Sequence, residues 1–290
     1  MLPKIKNKIV FIIFTFLVLT AVFVWLAVWS RSFDGKVKIA FFDVGQGSAI
    51  FIAAPNRNQV LIDGGPGEAI LAKLGEALPL FDKKIELLIL THPDSDHLGG
   101  LIEVLKRYKV GQILETGIVD QSPEYEEWGK LIKQKNIPVI FARAGQQVRI
   151  ADNLIINILY PLSLIAGQDF GQETNKTSIV GKIIFGENEI LFSGDAEKSV
   201  ENFLVFSGVD LRADILAVGH HGSKNSTDEK FLAAVNPQKA IIQVGKNNRY
   251  GHPSAETLAL LKGKGIEVWR TDLAQDIIFN CDLKNCLLKK

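Results

Sequence analysis

Apolar and polar positions divide the chain into two unlike parts. From Ile9 to Trp29 no residue is charged and only Thr15 and Thr20 are polar, so no stripe of 3.6-residue period separates a wet face from a dry one. As a helix this run rises about 30 Å, the thickness of the hydrocarbon core of a bilayer. Trp25 and Trp29 near its end suit the interface, and Lys4, Lys6 and Lys8 before it predict an N-terminus on the cytoplasmic side. The apolar region of a signal peptide is about 7–15 residues long and ends in small residues. Here the run is longer and closes on Ala27-Val28-Trp29-Ser30, which favours an uncleaved anchor over a cleaved leader. The expected division is a tail at 1–8, a transmembrane span at 9–29, a linker at 30–36, a folded domain at 37–280 and a C-terminal tail at 281–290.

Beyond the linker the apolar runs shorten and turn residues punctuate them. Val37–Val44, Ala49–Ala54 and Gln59–Ile62 read as strands, Ala69–Leu78 as a helix, and the continuous apolar run Ile85–Leu90 as a buried strand. Leu98–Tyr108 reads as a helix, Val110–Leu114 as a strand, Pro123–Lys135 as a helix and Pro138–Ala142 as a strand. Four strands follow in succession, Gln147–Ile150, Leu154–Leu159, Thr177–Phe185 and Glu189–Ser193, the last two forming a hairpin around Gly186-Glu187-Asn188. The helices Ala196–Phe206, Asp228–Val235 and Ala255–Lys262 then alternate with strands at Ile215–Val218, Lys239–Val244, Glu267–Arg270 and Asp276–Asn280. Several strand pairs have hairpin-length links, so a doubly wound parallel sheet fits poorly. Two mixed sheets face to face with helices outside accommodate the pattern.

Charge sharpens this only a little. Lys4, Lys6, Lys8 and Arg31 against Asp34 give the first 35 residues +3, which leaves −2 for the remainder of a chain whose net charge is +1. A folded part at −2 is no generic DNA-coating protein, although a local basic groove is compatible with it. Cys281 and Cys286 are too few for a disulfide scaffold or a four-cysteine zinc knot. A disulfide closing a loop outside the cytoplasm and two free thiols are both compatible with their positions.

The five histidines, His92, His97, His220, His221 and His252, carry the chemical signal. None lies on a predicted helix face; each follows an apolar strand or sits in a loop marked by Gly or Pro. His92-Pro93-Asp94-Ser95-Asp96-His97 packs four potential ligands into six residues after a buried strand, a density that suits one or two divalent metals. A polar turn with a capping Asp explains one of these residues, not four. Asp63 ends Val60-Leu61-Ile62, Asp195 ends Ile190–Gly194, and His220-His221 follows Ile215–Val218. Each of these repeats the order apolar strand, ligand, glycine. Gly45-Gln46-Gly47-Ser48-Ala49 lacks the frame of a serine nucleophile elbow, and neither a P-loop nor a dinucleotide fingerprint is present.

The order Asp63, His92-x-Asp94-x-Asp96-His97, Asn175, Asp195, His220/His221 resembles the metallo-β-lactamase superfamily. With Asp94 where the second His of the usual motif stands, with Phe42-Asp43-Val44-Gly45-Gln46-Gly47 upstream, and with Val218–Ser223 and Tyr250-Gly251-His252-Pro253-Ser254, it is similar to the C-terminal hydrolase domain of ComEC-type competence proteins. The likeness covers about residues 37–280. Ser48 departs from the acid that often follows Gly-Gln-Gly in that family, and the family's pore-forming region is replaced by one anchor. The resemblance therefore implies an α+β fold, a four-layer αββα sandwich, preceded by one transmembrane helix.

It also implies two divalent metal ions, Zn²⁺ or Mn²⁺. His92 and Asp94 would hold one, with Asn175 near where a third histidine is usual; Asp96, His97 and one of His220/His221 would hold the other; Asp195 would be shared. Asp94 and Asn175 make the first position oxygen-rich, which shifts preference from Zn²⁺ towards Mn²⁺ or Mg²⁺. Asp63 would support a ligand from behind. Asp96 and His252 would take part in catalysis, His252 as proton donor to the leaving group, and Lys224, Lys246 and Arg249 would meet phosphate oxygens. The implied activity is that of a membrane-anchored, metal-dependent phosphodiesterase or nuclease acting outside the cytoplasmic membrane, with DNA or a nucleotide as partner. The alternatives are a hydrolase of the same fold acting on a phosphorylated surface component, a thioester or a lactam, and a non-catalytic metal-binding module.

Overall fold

The computed structural model describes residues 3–31, 35–79 and 81–289. It divides into two units, residues 1–36 and 37–290. The first is helix α1 (Pro3–Arg31). Its stretch Asn7–Trp25 has a mean hydropathy of 2.5 and none of it is buried, so it is long and apolar enough to cross a membrane. The hydroxyls of Thr15 and Thr20 donate to the carbonyls of Phe11 and Phe16 at 2.9 and 2.8 Å, so both polar side chains are satisfied within the helix itself. The helix starts at Pro3, so the expected tail is helical from there, with Met1 and Leu2 outside the described residues. Of the expected linker, Ser30 and Arg31 belong to the helix, and residues 32–34 lie outside the described residues.

The second unit contains two mixed sheets. The first has the order β15-β14-β1-β2-β3-β4-β5-β6, built from β1 (Val37–Phe41), β2 (Ile50–Ala53), β3 (Gln59–Ile62), β4 (Lys84–Ile89), β5 (Lys109–Glu115), β6 (Val139–Phe141), β14 (Ile277–Cys281) and β15 (Cys286–Leu288). The second has the order β13-β12-β11-β10-β9-β8-β7, from β7 (Gln147–Ala151), β8 (Leu154–Tyr160), β9 (Val180–Phe185), β10 (Asn188–Phe192), β11 (Ile215–Ala217), β12 (Lys239–Ile242) and β13 (Glu267–Arg270). Each sheet has an antiparallel half and a parallel half, the change falling between β3 and β4 in one and between β10 and β11 in the other. In the parallel halves the chain returns through helices: α2 (Ala69–Ala77), α3 (Ser95–Arg107) and α4 (Pro123–Lys135) on the first sheet, α5 (Lys198–Ser207), α6 (Glu229–Val235) and α7 (Ala255–Gly263) on the second.

Strand alternation sorts the apolar side chains into three layers. Ile39 and Phe41 of β1, Leu87 and Ile89 of β4, and Ile190 and Phe192 of β10 meet in one core between the sheets. Their neighbours face out: Ala40 and Leu88 towards Leu101, Leu105 and Trp128 of the first helical layer, Leu191 and Ile242 towards Leu204, Phe231 and Leu261 of the second. Strands buried on both faces have no polar alternation to display, which explains the continuous runs in the sequence. The result is the four-layer αββα sandwich expected.

Three boundaries differ in ways that matter for the site. Helix α3 begins at Ser95, not Leu98, so Asp96 and His97 stand in its first turn and His97 is a helical residue, contrary to expectation. Asp94 takes the extended backbone of an N-cap, but its side chain makes no capping bond; the carboxylate is turned elsewhere. The expected strand at 177–185 starts only at Val180, because Thr174–Thr177 form a 3₁₀ turn. Finally, the segment 281–290 is no tail. Cys281 ends β14 and Cys286 opens β15, paired opposite each other at the sheet edge, and the two form a disulfide with their Cα atoms 4.0 Å apart.

The inter-sheet core supplies a stability test. Phe279 of β14 is fully buried and packs edge-on against Phe41, ring centroids 6.1 Å apart. Phe279→Ala should lower unfolding stability by about 3–5 kcal/mol, measured by denaturant titration of the full chain in detergent micelles.

Candidate metal centre

The parallel halves of both sheets end at one edge of the sandwich, and the chain leaves that edge through loops that hold the polar residues. Asp63 follows β3, His92 and Asp94 follow β4, Asp195 follows β10, His220 and His221 follow β11, and His252 lies between β12 and α7. Two groups of side chains come together there. His92, His97 and Asp195 form one, and Asp96, His97 and His221 the other, each with its ligand atoms within 4.8 Å of one another.

His97 sits at the centre of this cluster and is fully buried. Its Nδ1 lies 2.8 Å from Asp63 Oδ2 and its Nε2 3.1 Å from Asp195 Oδ1. Asp63 also accepts from the Thr91 amide and hydroxyl, both at 2.8 Å, and the same hydroxyl lies 3.0 Å from His92 Nδ1. His221 has Nδ1 against the carbonyl of Gln243 at 2.8 Å and Nε2 against Asp96 Oδ2 at 3.1 Å. In each of these three histidines Nδ1 is tied to a neighbour and Nε2 faces the cluster, as is usual where imidazole binds a metal. His92 Nε2 is buried without a hydrogen-bond partner among the described residues, and His97 Nε2 and Asp195 Oδ1, equally buried, meet only each other as an ion pair. Buried polar atoms short of partners are costly, and these three, converging from two imidazoles and a carboxylate, fit a divalent cation.

The electrostatics point the same way. Burial pushes the His97 imidazole down, yet the Asp195 and Asp63 carboxylates at its two nitrogens hold it well above the ordinary histidine value. Burial likewise opposes Asp195, but His221 and His97 keep its carboxyl well below the usual range. Asp96 is held at about 2 against its burial by the hydrogen bond from His221 and by the charges of His97 and His221. Without a cation, protons on the imidazoles balance the buried carboxylates. A divalent cation would take over that balance.

The backbone is bent to make this arrangement. His220 and His221 are successive residues in the left-handed region, φ 49° and 53°, each at a cost of order 1–3 kcal/mol. The Gly99-Gly100 pair has a different cause. A Cβ at Gly100 would lie 1.9 Å from the carbonyl oxygen of Gly64, so α3 packs backbone-to-backbone on the loop after β3. That close approach brings Asp63 within reach of His97.

The structure distinguishes the two adjacent histidines. His221 is buried within the second group, whereas His220 turns outward. Its Nε2 is 3.8 Å from Asp195 Oδ2, its Nδ1 3.8 Å from Glu197 Oε1, and its ring 5.7 Å from that of His252. Asp94 lies beside the first group, 3.7 Å from His92 Nε2, and its other oxygen accepts from the Thr174 hydroxyl at 2.6 Å. Asn175 is in the same 3₁₀ turn, with a buried Oδ1 lacking a partner. Lys224, Lys246 and Arg249 are exposed in the surrounding loops. Sequence reasoning passed over Thr91, Thr174 and Gln243. The first two are direct neighbours of His92 and Asn175, a signal that was available. Gln243 acts on His221 through its main chain, which no side-chain pattern records.

A family profile described as Metallo-beta-lactamase superfamily matches residues 42–246. Among curated proteins the chain is 34% identical over 261 residues to ComE operon protein 3 of Bacillus subtilis (strain 168), covering 83% of this chain and 32% of that protein. It is 27% identical over 253 residues to Competence protein ComA of Neisseria gonorrhoeae, covering 85% and 32%. The chain thus spans about a third of the length of these relatives. Among solved structures, the metallo-beta-lactamase fold protein YhfI from Bacillus subtilis superposes with a TM-score of 0.55 at 14% identity, covering 86% of this chain and all of that one. Zn²⁺-bound PqqB from Methylobacterium extorquens gives 0.51 at 11% identity, covering 86% and 100%. At these identities the likeness is one of fold.

Two outcomes test the site. His221→Ala should cost bound metal, whereas His220→Ala should retain it, as read by elemental analysis of the purified full chain; Asp63→Asn should weaken metal affinity roughly 10–100-fold. Because His97 and His221 sit above the ordinary imidazole value without metal and must be neutral to bind it, metal uptake should release protons and weaken as pH falls. Calorimetric titration in buffers of different ionisation enthalpy measures that release.

Proposed function

The chain belongs to the metallo-beta-lactamase superfamily, and from that premise we propose that it is a membrane-anchored, metal-dependent phosphodiesterase that acts on DNA or a nucleotide outside the cytoplasmic membrane. The observation that carries this reading is the pair of adjoining ligand groups, His92–His97–Asp195 and Asp96–His97–His221. His92, Asp94 and Asn175 would hold one cation, Asp96, His97 and His221 the other, and Asp195 would serve both. Two cations so held would supply an activated water and charge stabilisation for the displacement at a phosphodiester.

The residues of the chain do the rest. Asp63, Thr91 and the Gln243 carbonyl fix the imidazole orientations. Asp96, held at about 2, stays a carboxylate throughout the physiological range. His252 is half-buried beside His220. Burial, followed by the charges of His220 and His221, holds it below the ordinary imidazole value, so it is mostly neutral at pH 7 and exchanges a proton readily on the acid side of that. The oxygen-rich first position, with Asp94 and Asn175, supports Mn²⁺ over Zn²⁺. One relative is named Competence protein ComA and another, from Haemophilus influenzae, Recombination protein 2, which supports a nucleic-acid substrate. The apolar helix α1, the lysines ahead of it and the Cys281–Cys286 disulfide support an anchor with the folded domain outside.

The test is full-length protein in detergent micelles, stripped of metal and reloaded with Mn²⁺ or Zn²⁺, assayed on single-stranded DNA, bis-p-nitrophenyl phosphate and a β-lactam. Phosphodiester cleavage restored by metal is expected. Turnover of the β-lactam alone would refute the reading. Asp195→Ala should abolish cleavage and release metal, because it removes the carboxylate from between two dications. A variant that keeps both metals and near-normal activity would overturn the shared-carboxylate assignment. His252→Ala should lower turnover with metal content intact.

A further inference from the structure

We propose that Tyr250 is a stacking platform for an unpaired nucleobase beside the scissile phosphate, so that the site selects single-stranded nucleic acid. The inference rests on the phosphodiesterase reading and names its substrate class. Tyr250 is 56% exposed, so its ring, apolar in body and polar at the tip, is open to a ligand. It is held rigid. The Asn248 side chain closes the loop: its Oδ1 accepts from the amides of Tyr250 and His252 at 3.2 and 3.0 Å, and its Nδ2 donates to the carbonyls of Gly245 and His252 at 3.1 and 2.7 Å.

The ring stands at the outer end of a line that leads into the metal centre. Tyr250 is nearly parallel to His252, 16° apart with centroids at 6.0 Å. His252 lies 5.7 Å from His220, and His220 Nε2 is 3.8 Å from Asp195. The Arg249 guanidinium sits over the Tyr250 ring at 5.2 Å and donates to its hydroxyl at 3.2 Å, and Lys246 is exposed on the same loop. An exposed ring flanked by cations, two ring steps from the metal cluster, matches how proteins hold single strands: the base stacks on an aromatic face while cations follow the backbone. A duplex keeps its base faces covered by its own stack and offers Tyr250 nothing to stack on.

The test separates binding from hydrolysis. Metal-loaded full-length protein in micelles is titrated with two fluorescent phosphorothioate oligomers of one length, oligothymidylate and its abasic counterpart, which differ only in their bases. The unsubstituted protein should bind oligothymidylate roughly 10–100-fold more tightly than the abasic strand. In Tyr250→Ala and Tyr250→Leu the ratio should collapse towards one, and in Tyr250→Phe it should persist. A ratio near one in the unsubstituted protein, or one unchanged in Tyr250→Ala, overturns the proposal, as does competition by a neutral glucan that depends on Tyr250. Because nothing is cleaved in this measurement, failure of the phosphodiesterase reading shows instead as absent cleavage of ordinary DNA by the same preparation.

Discussion

The arrangement turns on one buried line of charge. Asp63 leaves the first sheet, Asp195 leaves the second, and the fully buried ring of His97 lies between them, 2.8 Å from one and 3.1 Å from the other. Two carboxylates buried this deeply are tolerable only with positive charge between them. His97 supplies it as an imidazolium when no metal is bound, and a cation would supply it otherwise. The same line ties together the two sheets and the helix α3, so that the chemistry and the packing at this edge are one problem with one solution.

The topology makes that solution available. In both sheets the antiparallel half occupies one side and the parallel half the other. The parallel strands β3, β4, β10, β11 and β12 release their chains at a common edge. Strand carboxyl ends are where loops can hold polar groups without interrupting a ladder, and ligands gather there for that reason. The segment His92–His97 contributes four residues and each other loop one, and no single segment contains a complete ligand group. The strained backbone at His220 and His221 and the glycine contact between α3 and the β3 loop are the local adjustments that bring these separate contributions within bonding distance.

Much of this was legible in the sequence, for identifiable reasons. The run at Ile9–Trp29 is apolar all round, and the helix it forms is long and apolar enough to cross a membrane. The fifteen strands and seven longer helices among the described residues were nearly all visible, because strands with both faces buried read as unbroken apolar runs and helices in the outer layers keep an amphipathic period. The cluster at His92–His97 stood out because four ligands in six residues have no economical structural explanation. Misplaced boundaries arose where a side chain abandoned its local role. Asp94 looks like a helix cap by type and position, yet its carboxylate serves Thr174 and the site, and only the extended backbone at that position shows that the helix starts directly after it, at Ser95.

By itself the sequence determined the long apolar helix, the layered architecture and the types of residue that meet at the site, since these depend on local periodicity and on composition around each strand end. The tertiary structure alone decided that His221 rather than His220 enters the ligand group. It also decided that Asp63 serves His97, that Cys281 and Cys286 face each other across two strands, and that Tyr250 lies in line with His252. Each of these is a relation between segments distant along the chain or a choice between adjacent residues of the same type. Such relations depend on backbone direction to a few tens of degrees and on packing to a few tenths of an ångström. Periodicity carries neither, because residues of one kind at neighbouring positions are equivalent until the fold points one inward and the other out.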